Sequence, residues 1–184
     1  MPVYIGLLRA VNLGRGTQVR MEELRDLLLR ASLEDVRTLL QSGNVVFRSP
    51  RVRDSDLERL LARQVAQELK VPTEVFVRTA EEWESVLAQN PFDREARDDP
   101  SHLVVVALRA APPTDRWAEL AAAIPGREQV KGYGRHAFVV YPDGIGRSRL
   151  TMARIEKHLG TSGTARNWNT ATKLAAIAAD LRSK

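Results

Sequence analysis

Two short apolar segments in separate halves of the chain most constrain its fold. They are VYIGLLR at residues 3–9 and HLVVVALR at residues 102–109, both rich in β-forming residues and both ending in arginine. Continuous apolar runs of this length are typical of strands that are covered on both faces. We therefore expect one buried central strand near the start of each half.

The residues after the first run predict a split β-α-β unit. The loop at 10–18 leads into VRMEELRDLLLRAS at 19–32, where apolar residues recur at helical spacing. VRTLLQSGNVVFR at 36–48 places two apolar runs around Ser42-Gly43, which suits a tight two-residue hairpin. An amphipathic helix over 54–70, a strand over 72–78 and a short helix over 81–89 complete a β-α-β-β-α-β order.

The second half repeats this order in pattern. It predicts a strand over 102–109, a helix over 114–123, strands near 128–131 and 136–141, a helix over 149–159, an extended segment at 162–166 and a final helix. We therefore expect an α+β fold made of a tandem pair of ferredoxin-like units with an extra C-terminal helix. The expected domains are residues 1–90, a charged, proline-containing linker over 91–101, and residues 102–184.

Composition excludes several kinds of site. The chain of 184 residues is 43% hydrophobic, enough to bury a core, and has no cysteine for a disulfide, thiolate metal site or nucleophile. Its three histidines are far apart, so neither a metal site nor a cofactor is predicted. The apolar N-terminus is too short for a membrane span and lacks a basic leader, so we expect a cytoplasmic protein with no membrane partner.

The loops at the end of the first strand form one candidate anion site. In the predicted topology this strand's end lies beside the hairpin, because strands one and two run parallel with strand three between them. Glycine-containing loops can turn backbone N–H groups toward a ligand, and an arginine can hold a phosphate or carboxylate in a forked contact. The alternative is that the glycines only make the turn and Asn44 satisfies its own backbone. The candidate residues are Arg9, Asn12, Gly14, Arg15, Ser42 and Asn44.

The start of the last helix forms a second candidate site. Thr164–Leu174 holds an arginine and a lysine but no acid, although a helix N-terminus favours negative charge. The predicted topology brings the loop after the third strand of this half to the same end of the sheet, so two helix N-termini would face one basic cleft. The alternative is ordinary helix capping with exposed arginines. The candidate residues are Gly146, Arg147, Ser148, Arg149, Arg166, Asn167, Asn169, Thr170 and Lys173.

Four motifs together resemble a bacterial family, domain-of-unknown-function family 1697. They are LLRAVNLGRGTQVRMEELRDLL, VRTLLQSGNVVF, GIGRSRL and TARNWNTATKL. Leu8, Arg9, Asn12 and Gly14 fit the family's L-R-G-I-N-V-G-G pattern, whereas Ala10 and Arg15 replace its glycines. The resemblance implies a two-part ferredoxin-like fold and brings no established activity.

Three functions are compatible with these features, and the sequence does not decide whether the protein is an enzyme. The net charge of +5 and the basic clusters favour binding of a phosphate-bearing ligand, either a nucleotide-like metabolite or nucleic acid. The first alternative is an acylphosphatase-like hydrolase, in which Arg9 or Arg15 holds the phosphoryl group and Asn44 orients water. The second is a structural or interaction protein whose polar motifs only lock the two halves together.

Overall fold

The sequence patterns form alternating strands and helices in a computed structural model that describes residues 1–14, 18–51 and 53–184. The first elements are β1 (Val3–Leu8), α1 (Met21–Arg30), β2 (Glu34–Leu39), β3 (Asn44–Arg48), α2 (Asp54–Glu68), β4 (Val75–Thr79) and α3 (Ala80–Ala88). The remaining elements are α4 (Asp93–Asp98), β5 (Leu103–Leu108), α5 (Thr114–Ala122), β6 (Gln129–Tyr133), β7 (His136–Val140), a 3-10 turn (Ile145–Arg147), α6 (Met152–Leu159), β8 (Gly163–Asn167) and α7 (Trp168–Arg182).

The chain divides into two compact units. One contains Met1–Glu84 together with Lys173–Lys184, and the other contains Ser85–Thr172. Each unit holds an antiparallel sheet of four strands, in the order β2-β3-β1-β4 and β6-β7-β5-β8 respectively. The expected α+β class is therefore confirmed at the level of two antiparallel sheets with helices. The domain boundaries expected from the sequence stay a prediction.

The two apolar runs form the inner strands β1 and β5, as the sequence predicts. Each is hydrogen-bonded to a neighbour on both sides, β1 to β3 and β4, and β5 to β7 and β8. Alternate residues of β1, β3 and β4 join the leucines of α1 and α2 in one apolar core. In the second unit, alternate residues of β5 and β7 pack with residues of α5 and α6. Burial of these side chains supplies the main stabilisation of each unit.

The register of the second sheet places two strand ends together. Because β7 and β8 are both antiparallel to β5, they run parallel to each other, and their last residues lie at the same end of the sheet. Val140 at the end of β7 pairs with Leu103, and Asn167 at the end of β8 pairs with Val104. The segment leading to α6 and the start of α7 therefore leave the sheet at the same end.

A glutamate on a helix satisfies the outer edge of the sheet in both units. Glu58 of α2 accepts the backbone N–H of Val77 at 2.9 Å, and Glu156 of α6 accepts that of Gly163 at 2.8 Å. Both strands are the last in their sheets, so these N–H groups face away from the neighbouring strand. The carboxylates supply acceptors that water or another strand would otherwise provide.

One local expectation was wrong. The connection between β2 and β3 is not a two-residue turn, because Leu39 pairs with Asn44 and residues 40–43 form the loop. Leu40 and Gly43 both have positive φ, and the Asn44 side chain fills the turn. The segment at 91–101 contains the helix α4, because its prolines flank the helical residues rather than interrupt them, and its role as a linker stays a prediction.

Candidate functional site

Polar side chains in the loop after β1 are held by other parts of the same unit. Arg9 Nη1 lies 2.6 Å from Glu74 Oε2, and its backbone N–H donates to the carbonyl oxygen of Glu74 at 2.9 Å. Asn12 has a positive φ of 58°; its Oδ1 accepts the Val19 N–H at 2.7 Å, and its Nδ2 donates to the carbonyl oxygens of Val19 and Gln41. These contacts close the loop at both ends. Arg15, the other arginine proposed for this site, lies outside the described residues.

The hairpin side of the same candidate site is also internally bonded. Asn44 is fully buried, and its Nδ2 donates to the carbonyl oxygen of Leu39 and to Ser42 Oγ, both at 2.9 Å. A Cβ atom at Gly43 would lie 2.6 Å from Val11 Cγ2, so only glycine fits this position, where φ is +74°. Gly14 is exposed, and the position that a Cβ atom would occupy there is open among the described residues. Asn44 therefore holds the hairpin turn, as the alternative reading expects.

At the start of α7, the predicted site residues face different environments. Arg166 is buried on β8, where its Nη1 donates to Thr164 Oγ1 at 3.0 Å and to the carbonyl oxygen of Ala165 at 2.8 Å. Burial lowers the pKa of its guanidinium to about 10, which leaves the group charged at neutral pH. Asn167 Oδ1 accepts the Thr170 N–H at 2.9 Å and caps the first turn of the helix.

The remaining predicted residues of this helix differ in exposure. Thr170 is buried, whereas Asn169 and Lys173 are exposed. Lys173 belongs to the first unit, whereas Arg166 and Asn169 belong to the second.

The loop between β7 and α6 places its two arginines at the surface. Gly146, Arg147 and Arg149 are exposed, whereas Ser148 is partly buried. Ser148 Oγ donates to Glu128 Oε1 and accepts the Leu150 N–H at 2.9 Å. The serine therefore fixes the loop against the Glu128 carboxylate, which the sequence analysis did not identify.

The clearest basic site lies along one side of α6, from its N-cap to its last turn, and is named the α6 depression. It is a concave depression with a volume of about 440 Å³ in the second unit. The side chain of Thr151 caps the helix by accepting the Arg154 N–H at 3.3 Å. Arg154, Lys157 and His158 lie at helical spacing on one side of α6. The lining residues are Arg149, Thr151, Ala153, Arg154, Lys157 and His158.

The charge of the α6 depression is uncompensated within the described residues. Arg149, Arg154 and Lys157 line it without any carboxylate among the lining residues, and none of the three forms an ion pair in the part of the chain that the structure describes. Arg154 Nε is buried and has no hydrogen-bond partner there. By contrast, Arg116 in the same unit lies 3.0 Å from Glu119. Together with the α6 N-terminus, these cations create a positive potential suited to an anion.

A smaller depression, named the Ser148 depression, adjoins the first one. It has a volume of about 210 Å³, and Arg149 lines both. Its two acids are already engaged, because Arg127 pairs with Asp143 and Ser148 donates to Glu128. Glu128 and burial together raise the pKa of the neighbouring Tyr141 to about 12, burial being the larger cause. The lining residues are Pro125, Gly126, Arg127, Glu128, Asp143, Arg147, Ser148 and Arg149.

Of the residues that line the two depressions, the sequence analysis singled out Arg147, Ser148 and Arg149 but none of the residues of α6. Arg154, Lys157 and His158 recur at i, i+3 and i+4 within a helix that was predicted, so their spacing could have revealed a basic helix face. Neither Arg147 nor Arg149 shares these depressions with Arg166.

In the described ranges, there is no cluster of acids and histidines that could hold a metal ion, and no helix is long and apolar enough to cross a membrane.

Comparison with known proteins gives a family and a fold. The chain belongs to the family described as "Protein of unknown function (DUF1697)", whose model matches residues 1–138 and so ends before the ARNWNT motif. A solved structure of a conserved bacterial protein from Streptococcus pneumoniae is similar with a TM-score of 0.75 and 19% identity, over 96% of this chain and 98% of that one. At this identity the likeness shows the fold alone. No curated protein matches the sequence significantly.

Proposed function

Since membership of this family brings no activity, we propose from the geometry that the protein binds a phosphate-bearing ligand in the α6 depression. The single observation that carries this proposal is the set of three cations, Arg149, Arg154 and Lys157, that line one concave surface without a carboxylate. Placing like charges side by side is unfavourable, and an oxyanion between them reverses that cost.

Each part of the depression has a distinct role in this proposal. The guanidinium groups of Arg149 and Arg154 present planar pairs of N–H donors that match two phosphate oxygens, whereas Lys157 adds a point charge. The Nε of Arg154 is buried, so the other guanidinium nitrogens of this side chain are the donors for a phosphate oxygen in the depression. The α6 N-terminus adds partial positive charge at the Thr151 end of the depression.

We also propose that the fold is a tandem pair of ferredoxin-like units. The antiparallel order β2-β3-β1-β4, repeated as β6-β7-β5-β8, supports two ferredoxin-like units, each with its two crossover helices on one face of the sheet. An acylphosphatase-like site at Arg9 and Asn44 receives no support from the geometry. Arg9 is paired with Glu74, and the Asn44 amide is occupied by the hairpin.

The proposal is tested by isothermal titration with inorganic phosphate and adenosine monophosphate at fixed ionic strength. Charge-assisted hydrogen bonds contribute about 1.5 to 3 kcal/mol each, so Arg149→Ala, Arg154→Ala and Lys157→Ala should each weaken binding by roughly tenfold or more. Arg94→Ala is the matched control, because Arg94 is an exposed arginine of the same unit outside the depression.

Two outcomes contradict the proposal. One is the absence of phosphate binding at millimolar concentration, and the other is binding that all four alanine variants weaken equally. Nucleic acid is tested in parallel with a short single-stranded oligonucleotide. An affinity for this probe that falls steeply with salt, and that depends on the same three residues, would identify a polymer rather than a small metabolite as the ligand.

A further inference from the structure

We propose that the site takes a ligand with two linked phosphoryl groups, one in the α6 depression and the other in the Ser148 depression. This inference rests on the proposed function and names its ligand class as a pyrophosphate or an ester of pyrophosphate. Arg149 is the bridge, because its side chain lines both depressions.

The cations of the Ser148 depression are the first support. Arg147 is exposed and forms no ion pair with a described carboxylate. The two acids that could oppose an anion are partly neutralised, since Asp143 is paired with Arg127 and one oxygen of Glu128 accepts from Ser148. The other oxygen of Glu128 is buried, so it does not face an incoming anion. Arg147 and Arg149 therefore remain as the donors available to a second phosphoryl group.

The shape of the surface is the second support. The α6 depression, at about 440 Å³, is the larger of the two, and the Ser148 depression of about 210 Å³ adjoins it at Arg149. A guanidinium has donors along two edges and can contact oxygens of two phosphoryl groups at once. Holding one phosphoryl group then places the second near Arg147, so the two contacts reinforce each other as in any bivalent ligand.

The lining also limits the ligand. Among the described residues, no phenylalanine, tyrosine or tryptophan lines either depression, so a nucleobase finds no ring to stack on beyond the imidazole of His158. We therefore infer recognition of the pyrophosphate group itself, with the rest of the ligand extending into solvent.

The test compares titration of the full chain with orthophosphate, pyrophosphate and methylenebisphosphonate at one ionic strength. We expect both linked diphosphate probes to bind at least tenfold more tightly than orthophosphate, with one ligand per chain. Arg147→Ala should reduce pyrophosphate affinity by fivefold or more and change orthophosphate affinity by less than twofold. Arg149→Ala should weaken both, whereas the control Arg94→Ala should change neither.

The two proposals fail in different ways. If orthophosphate binding depends on Arg154 and Lys157 but pyrophosphate is no tighter, or if Arg147→Ala affects both anions alike, the second subsite is refuted and the proposed function stands. If neither anion depends on Arg154 and Lys157, both proposals are refuted. Because Arg147 is exposed, its variant should fold normally, and an unchanged melting temperature without ligand will verify that.

Discussion

Replacing Glu58 by glutamine tests how the buried charges of the first unit are balanced. The side chain of Arg78 is fully buried, and its Nη1 lies 3.7 Å from Glu58 Oε1, while its Nε lies 3.4 Å from Glu82 Oε1. At 3.7 Å and an effective dielectric constant of about 20, the attraction between Glu58 and Arg78 is about 4 kcal/mol. Glutamine can keep an acceptor for the Val77 N–H but removes this charge.

Because Glu82 remains near the guanidinium, we expect Glu58→Gln to lower the free energy of unfolding by about 2 to 4 kcal/mol. Urea unfolding followed by circular dichroism should show a lower midpoint with an unchanged slope. The matched control is Glu119→Gln, which removes an exposed partner of Arg116 and should cost less than about 1 kcal/mol. Equal losses in the two variants would refute the claim that Glu58 balances a buried charge.

Two further predictions concern the second unit. A Cβ atom at Gly132 would lie 2.3 Å from Trp117 Cε2. Gly132→Ala should therefore lower the free energy of unfolding in urea by about 1 to 3 kcal/mol, and by much less in a Trp117→Leu background. An equal loss in both backgrounds would show that Trp117 is not the cause. Burial raises the pKa of Tyr141 to about 12, so its stabilising contribution is complete below about pH 10, the unfolded pKa, and is lost as pH rises through 12. Ultraviolet titration of the wild type against Tyr141→Phe measures this phenol, and ionisation near pH 10 would contradict the assignment.

The α+β class was predictable from the sequence because the apolar patterns are strong. The runs at 3–9 and 102–109 predict inner strands. The segments whose apolar residues recur at helical spacing predict the helices that alternate with the strands. The hairpin turn was less accessible, because Leu40 adopts a positive φ that its residue type does not favour. The Asn44 side chain supports that conformation through a contact that sequence spacing does not reveal.

The sequence predicts only part of the candidate site, because burial and long-range contacts decide which charged side chains are available. Helix polarity and charge single out Arg147 and Arg149, which line the two depressions, but they also predict that Arg166 faces the same basic cleft. Arg166 lies on an edge strand whose side chains alternate between faces, and there it is buried. Glu74 and Glu128 are distant in sequence from the residues that they contact, so no local pattern indicates that Arg9 and Ser148 are already engaged.

The most direct measurement of the central claim is a titration of the isotope-labelled protein with inorganic phosphate, followed by amide chemical shifts. The account predicts saturable shifts concentrated at Arg149–His158, with small shifts around the loops at Asn12 and Asn44. The same titration of Arg154→Ala should require far more phosphate to reach half of the shift. Shifts that centre on the loops after β1 or on the start of α7, or that never saturate, would contradict a phosphate site at α6.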